Sequence, residues 1–374
     1  MDEQILSENG FHTEISRHEI AAELSRKGYQ LLKENKNEEA KVCFAKILEI
    51  DAGNNYALVG MGDASRKSNM FNDAVCYYER CLDHHPGNNY ALFGLADCYK
   101  ALNQHQKAID IWIRYLEHDA GNITVLTRVA GAYRKIHDFK NSKMMYLRVL
   151  EMEEYNAYAI IGLGHLHYDF KEYRDALFYW EKMVETRSIA SVDIRVLTSI
   201  GNCHRKLKSY DDGITYFDAA LRRDPENFYA LFGLGDCYRG LNQPHHSLEY
   251  WNLLLKKDPL NKVILTRAGD AYCALQKFEK AAEYYNRALD IEFDTYAVLG
   301  LSIIAKIHGR FDEAIAALHD LAHKDPKNHR PYLELADCYE KIGNRQAAIA
   351  ALRDFQRHGI RNTMVIERLE KYSL

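Results

Sequence analysis

Metal binding, disulfide formation and nucleophilic catalysis all draw on cysteine and histidine, and the chain carries 8 and 17 of them. Their spacing serves none of these chemistries. No CxxC pair occurs, and no Cys/His set has the paired spacing of a zinc site. His165 and His167 are two residues apart and point to different helix faces, while His84-His85 and His245-His246 lie near turns. Cys98, Cys203, Cys237 and Cys338 recur at one position of a longer repeat, where a free thiol acts as a small apolar residue. No nucleophile–base pair and no phosphate-cradling glycine loop stands out. The expectation is a non-enzyme with no catalytic residue, no metal and no cofactor.

Carboxylates, guanidinium groups and tyrosines remain, and repetition organises them. YALFGLADCY from Tyr90 to Tyr99 is nearly repeated as YALFGLGDCY from Tyr229 to Tyr238, at an offset of 139. Looser echoes begin at Tyr56, Tyr158, Tyr296 and Tyr332. A unit recurring at a fixed period decides the fold before anything else. From Ala21 the frames are 21–54, 55–88, 89–122, 123–156, 157–193, 194–227, 228–261, 262–294, 295–328 and 329–362. Most are 34 residues long; the fifth has three extra residues near Ser188 and the eighth is one short. Each frame holds two apolar-periodic runs separated by a short polar turn, which predicts a pair of amphipathic helices.

Proline and glycine agree with this division. Pro86, Pro225, Pro259 and Pro326 fall at the thirty-second position, between helices, and Pro244 and Pro331 fall where a helix begins. Gly28, Gly62, Gly164, Gly201, Gly235 and Gly269 share the eighth position, which predicts close approach of the two helices of a unit. First helices come in two kinds, YALxGLGD and VLTR or ILTR, alternating from the third unit with a secondary period near 68. Duplication of a two-repeat block gives this pattern; so does a ligand with a long repeat of its own.

The seventh unit has Leu231, Leu234, Gly235, Tyr238, Trp251 and Pro259 at the places of the W-x2-L-G-x2-Y … A-x3-F … P pattern; the eighth has Gly269, Tyr272, Ala281, Tyr285 and Ala288. On these residues the chain resembles the tetratricopeptide repeat family over about nine-tenths of its length. Ser142, Gly213 and Ser247 depart from the helix-B alanine, and the last unit lacks the closing proline. The resemblance implies an all-α fold, a right-handed α-α superhelical solenoid of tandem helix-turn-helix units. Residues 1–15 are expected to be poorly ordered. A Ser16/Glu19 capping box should open an array of ten repeats over 16–362, and 363–374 should form a capping helix through Val365, Ile366, Leu369 and Tyr372.

The resemblance also implies that first helices line a concave groove through their second, fifth, ninth, twelfth and thirteenth positions. That yields an aromatic set, Tyr56, Tyr90, Tyr158, Tyr229 and Tyr296 with Phe93 and Phe232. Two roles fit it: contact with a partner, or packing on the neighbouring repeat. It yields an acidic set, Asp63, Asp97, Asp236, Asp270 and Asp337. The basic set includes Arg66, Lys100, Arg134, Arg205 and Arg239, with Arg128 and Arg267 at the sixth position. Asp63/Arg66, Asp97/Lys100 and Asp236/Arg239 are i,i+3 pairs, and Asp97 and Asp236 can also meet Arg128 and Arg267 of the next unit. Such a ladder fixes repeat register. Alternatively, positive charge left over where Gly131 and Asn202 replace the aspartate attracts an acidic ligand segment. Trp112, Trp180 and Trp251, at the twenty-fourth position, read as core.

The expected function is a protein-interaction scaffold that binds a protein or peptide segment in the groove, an acidic one where the surplus charge attracts it. The alternative is a self-assembling structural protein, with homo-oligomerisation through the groove or an end. The chaperone-type carboxylate clamp is absent, because no fifth position is lysine. A net charge of -4 with both signs interspersed gives no nucleic-acid signature. No apolar run approaches the roughly 18 residues of a membrane span. Free thiols and the lack of a signal-peptide pattern suit a cytoplasmic protein.

Overall fold

The computed structural model describes residues 2–186 and 192–372, with side chains over 17–184 and 192–372. The chain divides into two compact units, Met1–Thr186 and Arg187–Leu374. The described residues form consecutive helix pairs without strands. In the first unit these are α1 (Asp2–Lys33) with α2 (Asn37–Ile50), α3 (Asn55–Lys67) with α4 (Phe71–His84), α5 (Asn89–Ala101) with α6 (His105–His118), α7 (Ile123–Lys135) with α8 (Phe139–Met152), and α9 (Ala157–Asp169) with α10 (Tyr173–Thr186). In the second they are α11 (Ile194–Lys206) with α12 (Tyr210–Leu221), α13 (Phe228–Gly240) with α14 (Pro244–Lys257), α15 (Lys262–Ala274) with α16 (Phe278–Ile291), α17 (Thr295–Ile307) with α18 (Phe311–Lys324), and α19 (His329–Lys341) with α20 (Arg345–Arg357), followed by a single α21 (Thr363–Lys371).

Every first helix from α3 onward starts at the first residue of its frame. The spacing from α9 to α11 carries the extra residues of the fifth frame, although the position expected for them, near Ser188, lies outside the described residues. One expectation is corrected: α1 starts at Asp2, well before Ser16. Ser16 and Glu19 therefore lie inside a helix and not at its start. The segment holds no proline to stop the helix before Ser16.

From α3 to α19 each first helix is closed at both ends by a residue the helical period does not reveal. Asn54, Asn88, Asn122, Asn156, Asn227 and Asn261 accept a hydrogen bond from the N–H three residues on. Asp294 and Asn362 do the same before α17 and α21. Such a cap contributes about 1 kcal/mol. At the other end, one residue per repeat adopts positive φ: Asn69, Asn103, His137, Lys171, Lys208, Asn242, Gln276 and Gly309 among them. The N–H of Asn69 returns to the Arg66 carbonyl and that of Met70 to the Ser65 carbonyl, which ends the helix and reverses the chain.

The twenty-fourth position carries the core. Phe44, Tyr78, Trp112, Tyr146, Trp180, Phe217, Trp251 and Tyr285 are all buried. Glycine makes room for them on two sides. A Cβ on Gly62 would lie 2.6 Å from the Tyr78 ring and one on Gly94 2.3 Å from it; Gly201 and Gly233 flank Phe217, and Gly269 and Gly300 flank Tyr285, in the same way. The eighth-position glycines thus admit an aromatic ring from the second helix. A sixth-position glycine in the next repeat completes the slot. Ser142, in place of alanine, donates its hydroxyl to the Ala130 carbonyl at 2.8 Å and stays buried. At the end of the second unit, Val365 of α21 is buried against Ala336, Leu352 and Phe355, with Leu369 and Tyr372 packed alongside.

Candidate functional site

The five second-position tyrosines stand in solvent. Tyr56, Tyr90, Tyr158, Tyr229 and Tyr296 are 57% to 80% exposed, too much for rings that serve the repeat core. They sit one residue inside the capped start of each first helix, so the cap that fixes the backbone also fixes where the ring leaves it. Tyr229 meets Phe228 edge to face, and the Arg330 guanidinium lies over Tyr296 at 6.0 Å from the ring centre. Tyr56 and Tyr90, with Tyr29, Arg26, Lys33 and Asp63, line a cleft of about 1060 Å³ formed by α1, α3 and the start of α5. The Tyr29 hydroxyl donates to the Tyr56 carbonyl at 3.0 Å and ties two of these helices together. Burial pushes its pKa well above the ordinary tyrosine value, with Asp63 adding to the effect.

Phe93 and Phe232 are half-buried and do not stand free like the tyrosines. The Arg128 guanidinium lies over Phe93 at 4.8 Å from the ring centre, and Arg267 over Phe232 at 4.6 Å. A cation held over a ring face is attracted by its quadrupole, by roughly 0.5–2 kcal/mol. Each of these arginines also forms an ion pair with the ninth-position aspartate of the preceding repeat, Arg128 with Asp97 and Arg267 with Asp236. Asp236 is buried and is met further by Arg205 at 2.6 Å and Arg239 at 3.4 Å. Asp97 is also met by Arg66 at 3.9 Å. The cross-repeat pairs expected from the sequence form, and so do Asp63/Arg66, at 3.1 Å, and Asp236/Arg239.

The Asp97/Lys100 pair does not form. Asp97 turns inward to the two guanidinium groups, whose several donors reach it together, and Lys100 stays in water. Arg134, read as surplus charge opposite Gly131, is taken up by Asp169 of the next repeat at 2.8 Å. Arg205, opposite Asn202, accepts Asp236 as its partner and donates to the Asn202 amide oxygen at 3.2 Å. The exposed Lys135 and Lys206 are what remains of that surplus. Burial and the neighbouring Arg205 push the Arg267 pKa down, the direction expected where guanidinium groups outnumber carboxylates.

The other aspartates of the ninth position are bonded differently. Tyr78 donates its hydroxyl to Asp63, and Tyr285 to Asp270, each at 2.7 Å. Burial raises the Asp270 pKa, and the Tyr285 bond opposes that rise without cancelling it. Asp337 is held by Arg368 of α21 at 2.5 Å and by Lys306 at 3.4 Å. Spacing alone did not show these tyrosine bonds, because the donor lies fifteen residues away on the second helix.

The cysteines bear out their apolar role. Among the described residues Cys43, Cys81, Cys98, Cys203, Cys237 and Cys338 are buried free thiols, and burial pushes Cys98 and Cys237 up to about 12. One grouping was not foreseen: ligand atoms of His167, Glu172 and Asp175 lie within 4.8 Å of one another. His167 Nδ1 is 2.6 Å from a Glu172 oxygen, and the Glu172 N–H donates to the His167 carbonyl, so the pair closes the turn after α9. Exposed carboxylates beside an imidazole are common without an ion, and here the His167–Glu172 contact serves the turn. Among the described residues no helix is long and apolar enough to cross a membrane.

Comparison with known families agrees with this architecture. Models described as tetratricopeptide repeat match residues 65–127 and 305–356, residues 200–245, and residues 264–295, together about half of the chain. No curated protein matches it in sequence. Among solved structures, the protein MamA is 21% identical with a TM-score of 0.42, covering 46% of this chain and 92% of its own. PilF of Pseudomonas aeruginosa is 16% identical at 0.48, covering 57% and 96%. Yeast Tom70 is 14% identical at 0.42, covering 96% of both.

Proposed function

This chain belongs to the tetratricopeptide repeat family, and we propose that it is a non-catalytic scaffold whose first helices bind an extended segment of a partner protein. The observation that supports this reading is the exposed tyrosine at the second position of five first helices, three in the first unit and two in the second. Tyrosine offers a large, rigid apolar surface with a polar tip, at little cost in side-chain entropy, which suits recognition better than solvation. Tandem helical repeats of this kind present such side chains in register along one face. The sites assigned to the partner are Tyr56, Tyr90, Phe93, Tyr158, Tyr229, Phe232 and Tyr296, together with Asp97, Arg128, Arg134, Arg205, Asp236, Arg239 and Arg267, of which Arg128 and Arg267 hold Phe93 and Phe232.

Affinity capture from the native cell, with partners identified by mass, tests it. A Tyr90→Ala/Tyr229→Ala variant is expected to fold normally and to lose the captured partner. Retention of that partner at unchanged yield would overturn the assignment of these tyrosines.

A further inference from the structure

The near-identical decapeptides belong to a larger duplicated set. Arg66, Tyr90, Phe93, Asp97, Lys100 and Arg128 all recur 139 residues later, as Arg205, Tyr229, Phe232, Asp236, Arg239 and Arg267. One copy lies wholly in the first compact unit and the other wholly in the second. Their geometry also repeats. In each copy an arginine from the following repeat lies over the phenylalanine, at 4.8 Å and 4.6 Å, and pairs with the aspartate. In each, a second arginine reaches that aspartate from the preceding repeat. An exposed tyrosine stands at the edge of both.

We infer that the chain is bivalent, with one site in each unit for an acidic side chain of an extended peptide. This rests on the scaffold reading and adds ligand charge and stoichiometry to it. Charge complementarity names the occupant. In the first copy three cations, Arg66, Lys100 and Arg128, face two carboxylates, Asp63 and Asp97. In the second, Arg205, Arg239 and Arg267 face Asp236 and Asp270. Each copy therefore keeps one positive charge in surplus. The first copy opens on a pocket of about 290 Å³ bounded by Phe71, Ala101, Arg66, Asp97, Lys100 and Arg128, room for a carboxylate and its methylene stem. The guanidinium groups are already held by ring and carboxylate, so a ligand carboxylate meets donors that need little reordering. Lys100 and Arg239 are the more exposed cations of the two copies; Lys100 stands in water, and the half-exposed Arg239 reaches Asp236 at 3.4 Å from the solvent side, where a ligand carboxylate can share it.

The test is a titration of the full chain with N-acetylated hexaglutamate amide at low ionic strength, followed by calorimetry. Binding is expected to saturate at two peptides per chain. Lys100→Gln and Arg239→Gln are each expected to lower this to one, and the double variant to abolish it, while each variant still unfolds cooperatively on heating. Saturation at one, or at two that neither variant alters, overturns the inference. So does inorganic phosphate displacing the peptide at equal concentration, which would make these plain ion sites. If the captured partner still depends on Tyr90 and Tyr229 while hexaglutamate does not bind, bivalency toward acid fails and the scaffold reading stands.

Discussion

The buried Tyr285 donates its hydroxyl to the carboxyl of Asp270 at 2.7 Å, from the second helix of a repeat to the first. Tyr78 and Asp63 make the same bond. Where the twenty-fourth residue is Trp112 or Trp251, no hydroxyl is available, and Asp97 and Asp236 turn to an arginine of the next repeat instead. The two solutions need different sixth residues. The Tyr78 and Tyr285 hydroxyls lie 2.6 Å and 2.7 Å from where a Cβ of Gly94 or Gly300 would stand. Arginine occupies that place only after tryptophan. The tyrosine/tryptophan alternation at the twenty-fourth position is thus a packing alternation as well as a sequence one: Asp63 and Asp270 bond a tyrosine of their own repeat, while Asp97 and Asp236 are met by arginines of both neighbouring repeats.

Removing the hydroxyl separates this bond from packing. Tyr285→Phe keeps the ring in its slot and leaves Asp270 without its closest donor. Asp270 itself is exposed and water can replace the lost donor, so the expected loss is about 0.5–1.5 kcal/mol, the net contribution of a typical hydrogen bond. A double-mutant cycle with Asp270→Ala, read by chemical denaturation, should recover a coupling of similar size. Additivity would show that the bond contributes nothing.

The slot itself is tested by Gly300→Ala. Its Cβ would stand 2.3 Å from the Tyr285 ring, so ring or helix must shift, at roughly 1–3 kcal/mol. In a Tyr285→Leu background the same substitution should cost much less. The ninth repeat already pairs Leu318 at the twenty-fourth position with Glu334 at the sixth of the next. Equal costs in both backgrounds would show that the ring is not what the glycine accommodates.

Much of this fold was legible because it is written in residues with one physical use. Proline cannot sit mid-helix, and the eighth-position glycines recur in phase, so the frames predicted each first-helix start from Asn55 to His329, and the start of the last helix at Thr363. The asparagine ending most frames is a helix cap, and as a polar residue outside the apolar period it adds nothing to the pattern that marks the helices. The site was only partly legible. Spacing along one helix brings Asp97 near Lys100, but a buried carboxylate prefers guanidinium groups, and those come from neighbouring repeats. Likewise Phe93 and Phe232 share the tyrosines' helix face, yet they lie beneath an arginine that only the stacking of repeats brings there.

The left-handed residue after each first helix offers a stabilising change. Lys208 holds φ at 64° and His137 at 60°, where a side chain costs roughly 1–2 kcal/mol. Lys208→Gly removes that cost and returns part of it as unfolded-chain entropy, about 0.5–1 kcal/mol. The net expectation is a gain of about 0.5–1 kcal/mol in urea unfolding. The reverse change, Gly309→Lys at φ 74°, should lose a similar amount.

Thiol reactivity follows burial. Cys76 is exposed, while Cys98 and Cys237 are buried and pushed up to about 12. Since the thiolate is the nucleophile, iodoacetamide at about pH 8 should modify Cys76 in the native protein and leave Cys98 and Cys237 unmodified until denaturant is added. Mass mapping reads the order directly, and early labelling of Cys98 or Cys237 would mean that their repeats open in the native state.

The Asp270 carboxyl gives a pH dependence whose sign is fixed by its environment. Burial raises its folded-state pKa above the ordinary value of about 3.9. Between the unfolded and folded values the native state binds the extra proton, so stability falls as pH rises through that window and stays lower at neutral pH. An asparagine in its place is neutral throughout and still offers an oxygen to the Tyr285 hydroxyl. Asp270→Asn should therefore be more stable than the natural protein at about pH 7, with the difference shrinking as pH falls to about 3, where the natural carboxyl is largely protonated in both states. Thermal unfolding across that range reads it. A difference that grows on acidification would mean that Arg239, Arg267 and Arg330 dominate the carboxyl and hold it ionised.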